Sequence, residues 1–66
     1  MKKEIRVERA KVKMTQQELA DRVGVSRQTI NSVELDRYIP STVLALKIAA
    51  VFQTTVNVIF ELEEGD

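Results

Sequence analysis

Apolar positions recur along the chain at helical spacing, and capping residues separate one recurrence from the next. The first stripe is imperfect and covers residues 5–12, with basic residues between its apolar positions. A capping box then begins at Thr15, whose side chain is expected to cap the Glu18 amide while Glu18 reaches back. Gly24 ends this second helix, since a helix often stops where the backbone takes a positive φ. The apolar positions of the second helix share one face: Leu19, Ala20 and Val23.

A third helix is predicted from Arg27 to about Leu35, with Ser26 as its N-cap. Its inward positions are Ile30 and Val33, which fall at i and i+3. The opposite side carries long or hydrogen-bonding side chains, namely Arg27, Gln28, Asn31 and Ser32. Such a face is suited to a polar partner outside the protein.

The fourth predicted helix is apolar almost all round. After a loop over residues 36–40, Pro40 excludes helix at the residue before it, and Ser41 caps a helix from Thr42 to Phe52. Within residues 43–52 only Lys47 is polar. A helix of this kind is normally buried on most sides, so a second copy of the chain is expected to cover part of it.

Residues 54–60 fit two structures. Their β-branched run favours a strand, whereas Val56, Ile59 and Phe60 fall at the i, i+3, i+4 spacing of a short helix. Residues 61–63 alternate and are compatible with an edge strand paired with the N-terminal residues. Periodicity leaves the choice open.

Composition narrows the chemistry that the chain can perform. Its 66 residues are expected to form one domain, 1–66, and they include no cysteine and no histidine. Thiolate and imidazole metal sites, His-based acid/base catalysis and a disulfide framework are therefore excluded. We expect no cofactor, no enzymatic activity and no evident small-molecule ligand. The charged N-terminus and a longest apolar stretch of ten residues, interrupted by Lys47, predict no signal peptide and no membrane partner, and hence a cytoplasmic protein.

The formal net charge is +0, yet the charge is unevenly distributed. Residues 1–37 hold nine Lys/Arg and six Asp/Glu, and residues 38–66 hold one lysine and four acidic residues. A basic half that faces a polyanion and an acidic half turned away would give this pattern, and so would two ordinary solvated surfaces.

The segment from Gln16 to Leu35 resembles the helix-turn-helix of lambda-repressor-like, Cro/C1-type (Xre) regulators of bacteria, archaea and phages. Ala20 matches the small residue at the helix crossing, Gly24 the turn, and Ile30 and Val33 the anchors of the second helix. The likeness extends to the first, fourth and short fifth helices of that family. It implies an all-α, compact five-helix DNA-binding domain with its helix-turn-helix at about 16–35 and a dimerisation region at about 43–62.

The resemblance also implies a function. The helix 27–35 would lie in the major groove of double-stranded DNA, at a pseudo-palindromic operator read by a homodimeric repressor near the nucleoid. The family positions assign base reading to Arg27, Gln28, Asn31 and Ser32. They assign phosphate contact to Gln16, Gln17, Ser26, Thr29, Arg37 and Tyr38. For Tyr38, packing beneath the fourth helix is an equal alternative.

Further expectations concern the scaffold. In the resembled family an arginine at the position of Arg9 pairs with an acid at the position of Glu34. Glu8 departs from the family pattern, because many relatives carry a large apolar residue there, and it predicts looser packing of the first helix. The residues expected in the dimer interface are Val56, Val58, Ile59, Phe60 and Leu62.

Two other classes of function compete with a regulator. The first is an antitoxin or protein-interaction module that keeps the helix-turn-helix fold, for which an apolar outer face on the third helix would be expected. The second is an enzyme, but no base stands beside Ser26, Ser32 or Ser41, and the carboxylates Glu63 and Glu64 lie in the C-terminal tail.

Overall fold

The chain folds as a compact all-α domain. In a computed structural model that describes residues 2–54 and 59–61, the helices are α1 (Ile5–Lys11), α2 (Gln16–Val23), α3 (Arg27–Glu34) and α4 (Thr42–Val51). Four helices are thus present in the described part of the chain. The expected fifth helix, with Val56 and Val58, falls largely on residues outside the described ranges.

An antiparallel contact joins the two ends of the described chain. Strand β1 (Lys2–Lys3) pairs with β2 (Phe60–Glu61), with Lys2 opposite Glu61 and Lys3 opposite Phe60. The Glu4 amide also donates to the Ile59 carbonyl at 2.8 Å. Two residues on each side add no sheet layer, so the fold is all-α. The rest of the expected edge strand, 62–63, lies outside the described residues.

The helix boundaries follow from local capping. The Glu18 amide donates to Thr15 Oγ1 at 3.0 Å and the Thr15 amide to Glu18 Oε1 at 3.2 Å, which confirms the predicted capping box. Gly24 lies in the left-handed region at φ 78°, as predicted for the end of α2. The side chains of Ser26 and Ser41 accept from the amides of Thr29 and Leu44, each at 3.1 Å, and so begin α3 and α4.

The core lies between α2, α3 and α4. Its largest fully buried side chains are Ile5, Leu19, Ile30, Val33, Ile48 and Ile59. The imperfect stripe of α1 buries only Ile5 within the helix, while Val7 and Val12 are exposed. Helix α4 buries just one side, formed by Leu44, Ala45, Ile48 and Ala49. Its other side leaves Val43 and Leu46 exposed, and the expectation that a second copy of the chain covers part of the fourth helix stays a prediction.

Candidate nucleic-acid interface

Helix α3 is held against the body of the protein by its apolar side. Ile30 and Val33 are completely buried, and the α2–α3 turn is fixed by Gly24, whose amide donates to the Ala20 carbonyl at 2.9 Å. Ala20 is also fully buried, as a small residue must be where two helices cross closely. These contacts set the angle at which α3 packs on α2, and they leave the other side of α3 exposed to solvent.

The outward side of α3 begins with its longest polar side chains. Arg27 and Gln28 are exposed, while Asn31 and Ser32, one turn further on, are partly buried. All four expected base-reading residues therefore lie on the side away from Ile30 and Val33, and none is enclosed in the core. Exposed guanidinium and amide groups at the start of a helix can form paired hydrogen bonds to base edges.

Gln16, the first residue of α2, connects several polar side chains of α3. Its Nε2 donates to Asn31 Oδ1 at 3.1 Å and to Glu34 Oε1 at 3.2 Å. Its Oε1 accepts a longer hydrogen bond, 3.4 Å, from Arg27 Nη1. Because Nε2 donates to Asn31 and Oε1 accepts from Arg27, the side chain of Gln16 contacts both of these residues of α3. Sequence reasoning missed this bridging role, although a glutamine at the start of α2 was singled out.

An ion pair fastens α1 to the end of α3. Arg9 Nε and Nη2 donate to the two carboxylate oxygens of Glu34, both at 2.8 Å, and Arg9 Nη1 donates to the Met14 carbonyl at 2.9 Å. The side chain of Glu34 is 2% exposed and that of Arg9 14%. The pairing expected from the family is therefore confirmed. Arg6 approaches the same carboxylate at 3.6 Å, but its side chain is 69% exposed.

The ion pair shifts the pKa of both groups. Burial alone would raise the pKa of Glu34, but hydrogen bonds from Arg9 and Gln16, together with the charges of Arg9 and Arg6, lower it below its ordinary value. The hydrogen bond to Glu34 raises the pKa of Arg9 despite partial burial. Glu34 is thus a carboxylate at neutral pH, and it can hold both Arg9 and Gln16.

The residues expected at phosphate groups lie at the starts of α2 and α3 and in the loop after α3. Gln17 is exposed and donates to Asp21 Oδ1 at 2.8 Å, while the hydroxyl groups of Ser26 and Thr29 lie 2.9 Å apart. In the loop after α3, Arg37 and Tyr38 are exposed. The Arg37 amide donates to the Ser32 carbonyl at 2.9 Å, which ties this loop to the last turns of α3. Tyr38 remains 41% exposed, so its ring is only partly packed.

Two residues expected in a dimer interface are part of the core. Ile59 is completely buried and Phe60 is 8% exposed. Both pack in the hydrophobic cluster of their own chain, and their assignment to a dimer interface stays a prediction. Val56, Val58 and Leu62, the other expected interface residues, lie outside the described residues.

Glu8, the departure from the family pattern, faces a groove away from α3. Its side chain is 18% exposed and pairs with Lys11 at 3.2 Å. The groove has a volume of about 350 Å³. Its lining residues are Glu8, Val12, Met14, Glu18, Arg22, Val51, Phe52 and Gln53.

Across residues 2–54 and 59–61, no helix has the length and apolar character needed to cross a bilayer. In the same residues, no cluster of three or more acidic side chains could hold a metal ion.

Two short helices joined by a glycine turn, the second with a polar outward face, define a DNA-binding helix-turn-helix domain. A sequence model described as helix-turn-helix matches residues 4–59. The chain belongs to this family, in its Cro/C1-type form.

Relatives of nearly the same length share a substantial part of the sequence. An uncharacterized HTH-type transcriptional regulator of Archaeoglobus fulgidus is 50% identical over 66 residues, which are 100% of this chain and 93% of the relative. A similarly named protein of Methanocaldococcus jannaschii is 42% identical over 100% of both chains. The regulator YgzD of Bacillus subtilis is 41% identical over 97% of each. Family and relatives together identify the chain as a DNA-binding transcriptional regulator.

Proposed function

We propose that the protein is a sequence-specific, homodimeric repressor that places α3 in the major groove of a pseudo-palindromic operator in the prokaryotic cytoplasm. The observation that carries the proposal is the outward polar face of α3, held at a fixed angle by two fully buried apolar anchors. A helix fits a major groove about 12 Å wide, and two half-sites one helical turn apart suit a two-fold dimer.

Base reading is assigned to Arg27 and Gln28 at the exposed start of α3, with Asn31 and Ser32 one turn further along. Arg27 can donate to guanine O6 and N7, and Gln28 can pair with adenine N6 and N7. Gln16 would hold Arg27 and Asn31 in position, and at the start of α2 its side chain and the nearby backbone amides would also meet a phosphate.

The remaining polar residues around α3 would contact the DNA backbone. Gln17, Ser26 and Thr29 lie at the starts of α2 and α3, and Arg37 and Tyr38 lie in the loop beyond α3. These side chains would set the register of the domain on the duplex without reading sequence. An interaction module without DNA binding has no need of an exposed guanidinium and amide at the start of α3, and this favours the regulator.

Selection of bound sequences from random duplexes tests the proposal, followed by binding titrations on the selected operator. Arg27→Ala should relax the preference at one base pair and cost about 1–3 kcal/mol on the operator. Arg37→Ala should weaken all sequences similarly and reduce the slope of log K against log salt by about 0.9 for each phosphate that it no longer neutralises.

The matched control is Arg22→Ala, which removes an exposed arginine from α2 on the side of the groove beside Glu8. It should leave the selected sequence unchanged. If Arg27→Ala also left it unchanged while the protein still bound DNA, the assignment of Arg27 would be wrong. If no sequence were enriched by the unmodified protein, the proposed function would fail as a whole.

A further inference from the structure

Arg6, in α1, is an exposed cation close to the residues assigned to base reading. Its Nε lies 3.6 Å from Glu34 Oε1, and Gln16 Nε2 donates to the same oxygen at 3.2 Å. The guanidinium of Arg6 and the amide of Gln16 are therefore neighbours. The same amide contacts Asn31 and Arg27, so one side chain separates Arg6 from the polar face of α3.

The charge of Arg6 is not needed to neutralise Glu34. The two carboxylate oxygens already accept from Arg9, both at 2.8 Å, and the Glu34 side chain is 2% exposed. A separation of 3.6 Å is too long for a hydrogen bond, and 69% of the Arg6 side chain is exposed. Two guanidinium groups thus face one carboxylate, and the surplus positive charge is carried by the exposed group.

Both hydrogens of the neighbouring amide are already engaged. The Nε2 group of Gln16 has two N–H donors, and it donates to Asn31 Oδ1 and to Glu34 Oε1. A phosphate beside this side chain leaves these bonds intact only if another residue donates to it. A guanidinium carries five N–H donors in a planar fork that matches a phosphate group. Arg6 can therefore supply the donors that the amide has committed elsewhere.

We propose that Arg6 binds a backbone phosphate of the operator, beside the start of α2. The inference rests on the proposed function, because it requires α3 to lie in the major groove while the helix before it crosses the DNA backbone. Contacts to phosphate fix position and register and carry no sequence information directly. Arg6 would thus add affinity that depends on salt, and α1 would join α2 and α3 in contacting the duplex.

Binding titrations of the full chain over a series of salt concentrations test the contact, on the selected operator and on a random duplex. Arg6→Gln should weaken binding to both duplexes by the same factor, about tenfold, as expected for the loss of hydrogen bonds to a charged group. It should also reduce the slope of log K against log salt by about 0.9. Arg6→Lys keeps the charge and loses the planar fork, so it should restore the slope and only part of the affinity.

Arg22→Gln is the matched control, since Arg22 is an exposed arginine of α2 that lines the groove beside Glu8. It should change the affinity for either duplex less than twofold and leave the salt slope unchanged. Circular dichroism reports the fold of every variant. Because the contact of Arg6 with Glu34 is long and exposed to solvent, Arg6→Gln should remain folded under the conditions of the titration.

Replacing single phosphates of the operator by uncharged methylphosphonates locates the contact. At one position the replacement should weaken binding of the unmodified protein, and Arg6→Gln should add no further loss there. At the other positions the two losses should add, because the changed groups do not touch each other. A general effect of net charge, or a purely structural role of Arg6, would instead give additive losses at every phosphate.

Three results would overturn the inference. The first is an unchanged affinity and salt slope in Arg6→Gln. The second is a loss that is additive at every methylphosphonate, which would assign Arg6 to the scaffold. The third is a loss confined to the operator, which would assign Arg6 to base reading. The sequence selected by the unmodified protein reports separately on the proposed function, so the two failures remain distinguishable.

Discussion

Helices α3 and α4 are built alike on the inside and differently on the outside. Each begins at a serine whose side chain accepts from the amide three residues further on, and each packs an apolar side into the same core. On the solvent side, α3 presents Arg27 and Gln28, whereas α4 presents Val43 and Leu46. The difference separates two kinds of surface, one suited to hydrogen bonding with a polar partner and one suited to an apolar partner.

The attachment of the two helices to the body also differs. Helix α4 packs on the core through apolar side chains, whereas α3 carries in addition the ionic contact of Glu34 with Arg9 and the amide of Gln16. Hydrogen bonds are directional and apolar contacts are not. A helix that offers specific atoms to base edges must be held in one orientation. Directional hydrogen bonds to α3 can fix that orientation more closely than apolar contacts alone.

The largest expected effect is the loss of the ionic contact on α3. Arg9→Leu would leave the carboxylate of Glu34, 2% exposed, without its two guanidinium donors. The free energy of unfolding should fall by about 3–5 kcal/mol, as for other buried pairs that lose one partner. Urea unfolding followed by circular dichroism measures the change.

Arg6 supplies the control for this prediction. Arg6→Leu removes a 69% exposed arginine at 3.6 Å from the same carboxylate, and it should cost no more than about 1 kcal/mol. Replacing both members of the buried pair by leucine should cost less than Arg9→Leu alone, because no unpaired charge remains. Equal losses for Arg6→Leu and Arg9→Leu would contradict the asymmetry between α3 and α4.

Local signals in the sequence predicted the helix boundaries. Thr15 with Glu18, the glycine at 24, and the serines at 26 and 41 act over three or four residues, so their effects can be read without knowing the fold. The family resemblance supplied the Arg9–Glu34 pair, whose members are 25 residues apart. Neither route required the three-dimensional packing to be known in advance.

The features that sequence reasoning missed depend on how helices cross. Gln16 meets Asn31 and Glu34 across 15 and 18 residues, and the angle between α2 and α3 decides whether they touch. Apolar character alone likewise could not tell whether Ile59 and Phe60 pack on their own chain or on a second copy. The structure places both in the core of the same chain and leaves Val43 and Leu46 outside.

A smaller effect is expected from protonation of Glu34. Because its pKa in the folded protein is lowered, the contribution of the carboxylate to stability is complete above its ordinary value of 4.5 and is lost as pH falls through the lowered pKa. Hydrogen bonds to a charged group contribute roughly 1.5–3 kcal/mol, and a loss of about this size is expected on acidification.

Unfolding titrations between pH 7 and pH 3 measure this contribution. Glu34→Gln should be less stable than the unmodified protein at pH 7 and should lose less stability on acidification. Asp21→Asn, which removes an exposed carboxyl group from α2, should keep the acid-induced loss. An undiminished acid-induced loss in Glu34→Gln would show that other carboxyl groups account for it.

The smallest expected effect comes from replacing the two capping serines. Comparing the two replacements tests directly whether the start of α3 and the start of α4 differ in their role in DNA binding. Ser26→Ala and Ser41→Ala should each lower the free energy of unfolding by about 1 kcal/mol, since each removes one N-cap hydrogen bond. DNA affinity should respond only to Ser26→Ala, because Ser26 stands at the start of α3 beside Thr29 and Ser41 begins α4. Thermal unfolding together with binding titrations at a temperature where both variants are folded gives the comparison. Equal reductions of DNA affinity in the two variants would mean that the caps act on binding through stability alone, and the start of α3 would no longer be assigned to phosphate.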